Sequence, residues 1–275
     1  MVTHTTPPSG RAPRSAPPRP PRRDADARTL YLMPAETLRV SSTGEALVAT
    51  MPDGDVRRLP VTRLLRVVCN ERVHWSGAAL SLCQTHGITV TWLDGRGQAQ
   101  GHLWPVHMPH TDLADALHSA STLVEDWAQL YANWLRQQRL KILQGWRQQR
   151  SHAGHPVHAE EWERAKQAWV YRGDIAEHLP EVLHGMISAL TAARLAADAL
   201  QPEYWCADGS RLSLAEDLSR LVWAQLNLNG GAFAEALSEQ REVAAVFERW
   251  SIRCADQLQV FLASLKAQAM RALHG

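Results

Sequence analysis

The hydrophobic period changes once along this chain, and that change constrains the fold more than any other feature. Between Thr29 and about Leu103 the apolar residues come in short runs: Leu30-Tyr31-Leu32, Thr37 to Val40, Ala46 to Ala49 and Val56 to Pro60. Turn residues separate them, at Ser42-Thr43-Gly44-Glu45 and Pro52-Asp53-Gly54-Asp55, as expected of strands joined by tight turns. Leu64 to Cys69 is an almost unbroken apolar run, suited to a strand covered on both faces. Ser76 to His86 reads as one short helix, with Ser76 as N-cap and Gly87 as the residue that ends it. Ile88 to Leu93 resumes a strand, and Asp94-Gly95 turns it.

From about Thr111 the spacing becomes helical. Leu123, Trp127, Leu130, Tyr131, Trp134 and Leu135 recur at three- and four-residue steps, and Leu140, Leu143 and Trp146 extend the stripe. Helical patterning returns at 159–171, 180–200, 212–228 and 234–273, and no internal repeat is visible. The fold class is therefore α+β: a small N-terminal β-rich domain with one short helix, then a larger all-helical domain. The expected divisions are a Pro/Arg-rich disordered tail at 1–28, a β-rich domain at 29–103, a linker at 104–112 and a helical domain at 113–275. The 11 Trp belong chiefly to the helical core.

Composition removes several classes. The 275 residues supply a sizeable core, so a disulfide-stapled miniprotein is excluded. Cys69, Cys83, Cys206 and Cys254 lie far apart without a C-x-x-C pair, which predicts reduced thiols and a cytoplasmic location. No apolar stretch is long enough to span a bilayer, so no membrane partner is expected. The net charge of +1 hides a tail of +4 at residues 1–28, which leaves the rest at −3. Nucleic-acid binding would therefore need a local basic patch. One exists: Arg136, Arg139, Lys141, Arg147 and Arg150 share a predicted helix, with no acid between Asp126 and Glu160. Such a face can follow a phosphate backbone without reading sequence; a merely solvated polar face is the alternative.

Two segments carry a family resemblance. Arg58-Leu59-Pro60, Leu64 to Cys69, Ser76 to His86, Gly87-Ile88-Thr89-Val90 and Leu93-Asp94-Gly95-Arg96-Gly97 follow one another in the order and spacing of the CRISPR-associated spacer integrase family. The stretch Tyr204 to Arg220, with Arg211-Leu212-Ser213-Leu214-Ala215-Glu216-Asp217-Leu218 at its centre, resembles that family's helix opening after a turn. The helix before it and Asn227 to Phe233 are also similar. The resemblance implies a homodimer joined through its β-rich domain, with a small CRISPR adaptation partner protein, acting on double-stranded or branched DNA. The reaction it implies is metal-dependent cutting and joining of DNA, with Mg2+ or Mn2+ as cofactor.

The family's ligands are a Glu on a helix ahead of a Tyr, a His in the turn and an acid in the next helix. Here those slots fall near Glu163, on Cys206 and on Arg220. A guanidinium repels a cation, and a thiolate suits Mg2+ poorly. No catalytic set is intact, and Glu163 and Asp217 are the remaining metal candidates. Counting seven residues back from Tyr171 gives Arg164, so Glu163 serves only if the register slips. His152, His155, His158, Glu160, Glu161 and Glu163 read as a solvated loop interrupted by Gly154 and Pro156. Asp208, Glu216 and Asp217 could meet around one turn, while Cys69 and Cys83 read as core thiols. The expected function is thus a divergent integrase homologue that binds DNA with impaired catalysis, with Mg2+ or Mn2+ as cofactor if it is active and no cofactor otherwise. The alternatives are an active enzyme with relocated ligands and an unrelated interaction or regulatory module.

Overall fold

In the computed structural model, which describes residues 27–106, 108–175, 179–228 and 243–275, the doubly covered strand lies at the centre of the β-rich half. Strand β5 (Leu64–Asn70) runs parallel to β1 (Arg28–Leu32) on one side and to β7 (Thr89–Leu93) on the other. β8 (Ala99–Leu103) closes the sheet antiparallel to β7, giving the order β1-β5-β7-β8. A second sheet has the order β4-β3-β2-β6, from β2 (Leu38–Thr43), β3 (Ala46–Thr50), β4 (Val56–Pro60) and β6 (Val73–Trp75). Alternation sorts the side chains: Val67, Cys69 and Val90 join the core shared with the second sheet, while Val68 and Leu93 face the other way. Helix α1 (Gly77–Thr85) begins where the Ser76 hydroxyl accepts the Ala79 amide and ends before Gly87, whose φ of 71° suits a helix terminator. The expected tail lies outside the described residues apart from its last two positions, and Arg28 opens β1.

The helical half contains α2 (Asp112–Leu123), α3 (Trp127–His152), α4 (Ala159–Lys166), a π-helix (Gln167–Arg172), α5 (Glu181–Ala197), α6 (Leu214–Leu228) and α7 (Val243–His274). Trp127 and Trp134 are buried as their spacing predicts, and the Trp134 indole donates to Ser264 Oγ at 3.1 Å. The part of the expected last helix before Val243 falls outside the described residues, as does Gly230 to Phe233. One expectation needs correction: this half is mostly, not wholly, helical. β9 (Glu203–Trp205) and β10 (Arg211–Ser213) form an antiparallel hairpin between α5 and α6, because the Asp208-Gly209 turn reverses the chain there.

Helix α5 ties the halves together. It buries residues all round its surface, including Leu183, Met186, Ile187, Ala189 and Leu195, as a central helix must. One side packs into the helical core, and Ala189 with Val182 meets Val68 and Leu93 of the sheet. The approach is close. A Cβ on Gly185 would strike the Gly97 carbonyl and lie 2.7 Å from Leu93 Cδ2, and Gly97 itself has φ 91° against the Val182 backbone. A second tie comes from α7, whose Glu248 accepts from Tyr31 Oη at 2.6 Å and pairs with the buried Arg66 at 3.2 Å.

Candidate functional site

Directly beside this seam a groove opens where the β7–β8 turn, α5, α6 and the β9–β10 hairpin converge. A cleft of about 340 Å³ is bordered by Gln98, His102, His184, Ser188, Glu203, Glu216 and Arg220. A neighbouring cleft of about 240 Å³ shares Gln98, His184 and Arg220 and reaches Trp169, Asp174 and Trp223. Helix periodicity places Glu216 and Arg220 one turn apart, and Arg220 Nη2 lies 3.3 Å from Glu216 Oε1. The His184 ring tilts against Trp223 with centroids 5.5 Å apart. Burial, and then the nearby Arg220, push its pKa down, so the ring is neutral. Its Nε2 is buried without a hydrogen-bond partner among the described residues. His102 is held between Thr91 Oγ1 at 2.8 Å and Ser188 Oγ at 3.4 Å, and burial lowers its pKa to about 4.

Asp217 does not face this groove as a free carboxylate. Tyr131 Oη donates to its Oδ2 at 2.9 Å. Burial raises the Asp217 pKa, while the Tyr131 bond and the field of Arg139 oppose that rise. Arg139 lies 5.3 Å from the centroid of the Trp169 ring, and Trp169 Nε1 donates to the Arg139 carbonyl at 3.1 Å. Gly173 leaves the space that the Arg139 guanidinium fills.

The sequence-predicted residues are dispersed. Arg220 lines the groove, partly exposed. Cys206 is buried in the core of the helical half, its amide bonded to the Ser210 carbonyl across the hairpin turn, and burial raises its thiol pKa. Asp208 is occupied in that same turn, accepting from the amide and hydroxyl of Ser210. Glu163 is exposed on α4 and pairs with Lys166 at 3.6 Å. A π-turn takes up one residue more than an α-turn, so the π-helix gives Glu163, eight positions before Tyr171, the phase an unbroken helix gives to 164. His152, His155 and His158 are exposed. Among the described residues no group of three His, Cys, Asp or Glu side chains could hold a metal ion. Cys69 and Cys83 are buried, and burial pushes both thiols up to about 12.

The basic residues of α3 separate by function of phase. At about 100° per residue, Arg136, Arg139, Arg147 and Arg150 fall on one stripe, and Lys141 points about 140° from Arg136. Arg136 and Lys141 are exposed, and Arg139 turns inward. Arg147 stacks over Trp162 at 4.9 Å, and Arg150 lies 5.5 Å from Trp146 while bonding Glu161 at 2.9 Å. These aromatic contacts were not foreseen, because Trp146 reads only as a stripe residue and Trp162 lies on a separate helix. Gln98, His102, His184 and Asp174 were also missed. They come from four separate elements, and no local motif joins them.

This α+β fold, with a charged groove beside the seam between its β-rich and helical halves, has specific likenesses among known proteins. Residues 30–183 match the family model described as CRISPR associated protein Cas1. The chain belongs to the Cas1 family, which removes the unrelated interaction or regulatory module. No curated protein sequence matches this chain. Among solved structures it is similar to a CAS1 protein from Thermotoga maritima, with TM-score 0.64 and 12% identity over 88% of this chain and 97% of that one. It is also similar to TtCas1 in a DNA complex, with TM-score 0.56 and 15% identity over 86% and 91%. TtCas1 alone gives TM-score 0.55 and 14% identity over 85% and 97%. At such identities the likeness speaks for the fold. Among the described residues no helix is long and apolar enough to cross a membrane.

Proposed function

We propose that this protein is a DNA-binding structural member of CRISPR spacer acquisition, in the cytoplasm, whose own strand-cutting and joining activity is impaired. The observation that carries the reading is Arg220. It stands on α6 where the family resemblance expects an acid, its side chain lines the groove, and its partner is Glu216. Cys206, in the expected histidine slot, lies in the core. Metal-assisted phosphodiester chemistry needs an ion held by oxygen ligands against the reacting phosphate, and loss of such electrostatic stabilisation costs orders of magnitude in rate. Mg2+ or Mn2+ would supply that charge, but the two remaining candidates do not make a ligand set: Asp217 is engaged by Tyr131, and Glu163 is exposed on α4 beside Lys166. In this reading two copies pair through their β-rich halves and a small adaptation partner protein joins them. Double-stranded or branched DNA lies along the Arg136, Arg147 and Arg150 stripe of α3; of the five basic residues expected to form this face, Arg139 is turned inward onto Trp169 and Lys141 points to another side of the helix. One similar structure is a TtCas1–DNA complex, which supports DNA as the ligand.

A nuclease assay on branched DNA with Mn2+ tests the proposal. The expected result is no cleavage above a chelated control. Clear cleavage abolished by chelation would replace it with an active enzyme whose ligands have moved.

A further inference from the structure

The acids bordering the groove share one property: each already has an arginine. Glu216 pairs with Arg220 at 3.3 Å, Glu203 pairs with Arg211 across the hairpin, and Asp174 lies 3.9 Å from Arg172 Nε. Behind them Asp217 is bonded to Tyr131 and sits in the field of Arg139. A hard divalent cation needs several unpaired oxygens arranged around one point. Here the oxygens are distributed over three elements and matched by fixed positive charges. The donor set does not fit Mg2+ or Mn2+.

What the groove offers instead is donors. A guanidinium carries five N–H groups in a fork that fits phosphate oxygens. The Glu216 contact of Arg220, at 3.3 Å, is longer than the 2.7–2.9 Å usual for a charge-assisted bond. The Arg220 side chain remains 44% exposed into the space it borders. His184, unpartnered at Nε2, and Gln98 border both clefts together with Arg220. The Gln98 carboxamide adds a donor, while the buried His184 ring walls the groove with its Nε2 out of contact with the open space. We propose that this groove seats a DNA phosphate directly on the Arg220 guanidinium, flanked by His184 and Gln98, without a metal ion. The inference rests on the DNA-binding reading above and deepens it by naming the contact.

The test is fluorescence anisotropy with a labelled duplex bearing a single-stranded branch, in EDTA and in Mn2+, alongside thermal melting with Mn2+. Wild type is expected to bind equally in both, with no Mn2+ shift in melting. Arg220→Gln is expected to bind about tenfold more weakly, the scale of one lost charged hydrogen bond, with a salt dependence shallower by about one phosphate contact. Arg220→Lys, which keeps the charge but loses the fork, should fall between them, and it carries the test if Arg220→Gln fails to fold. Binding by both variants at the wild-type level overturns the inference while leaving the DNA-binding reading intact. Mn2+-dependent binding, or a Mn2+-raised melting temperature in wild type, also overturns it. A wild-type protein that binds no DNA in either buffer overturns the DNA-binding reading itself, which is a different result.

Discussion

Two regions of this molecule lie one residue apart and obey opposite rules. Gly97 and Gly185 form the seam where the sheet meets α5, while their neighbours Gln98 and His184 border the groove. In the seam the backbones approach so closely that no side chain fits between them. In the groove, side chains reach into open space and face charges on partly exposed partners. Close-packed interiors transmit any added volume as strain; a solvated cleft absorbs a change of charge at small cost. A chain can thus keep the fold of its family through the seam and alter the chemistry of the groove.

The sharpest way to break this contrast is to add a side chain to the seam. Gly185→Val would drive its branched side chain into the Gly97 carbonyl and the Leu93 side chain. We expect destabilisation of about 3 kcal/mol or more, the upper end of overpacking, read as a lowered midpoint in urea unfolding. A Gly185→Val protein with the wild-type midpoint would show that the seam is loose and that the groove's tolerance is nothing special.

A second test lies where groove and sheet share a residue. His102 borders the groove yet is held by Thr91 of β7, and burial takes its pKa from 6.5 to about 4. Between those values the unfolded chain takes up a proton that the folded protein refuses. Stability is therefore intact above pH 6.5 and falls as the pH drops toward 4, by about 2 kcal/mol after allowing for partial exposure. Urea midpoints for wild type and His102→Gln at pH 7.5 and 4.5 measure this. The difference between pH values should shrink by that amount in the variant, and an unchanged difference would place His102 with the solvated groove instead.

The same contrast explains what the sequence made legible. The strand runs, Ser76, Gly87 and the apolar stretch at Leu64 to Cys69 are local signals, since alternation and capping act over a few residues, and each has its counterpart in the structure. The hairpin at Glu203 to Ser213 was hidden because three-residue strands carry almost no period. The groove was only partly legible. Arg220 and Cys206 could be flagged from the family pattern, yet the burial of Cys206 and the Tyr131 bond to Asp217 depend on contacts spanning many residues. The π-helix was invisible for a related reason: one extra residue in a turn leaves the composition unchanged and only shifts the phase.

The smallest expected effect probes the groove alone. Glu216 and Arg220 are an exposed i, i+4 pair, with side chains 59% and 44% accessible, and such pairs contribute about 0.3–0.5 kcal/mol. Glu216→Gln should therefore leave the urea midpoint nearly where it was, in contrast to Gly185→Val. The same change removes the one carboxylate that competes with phosphate for the Arg220 guanidinium, and it deletes a negative charge from the DNA-facing surface. Both act in one direction, so DNA affinity measured by anisotropy should rise by about twofold, the equivalent of that fraction of a kcal/mol. A large loss of stability would mean that the pair is structural and that the groove shares the rigidity of the seam. A fall in affinity would mean that Glu216 aims Arg220 at its ligand rather than competing for it.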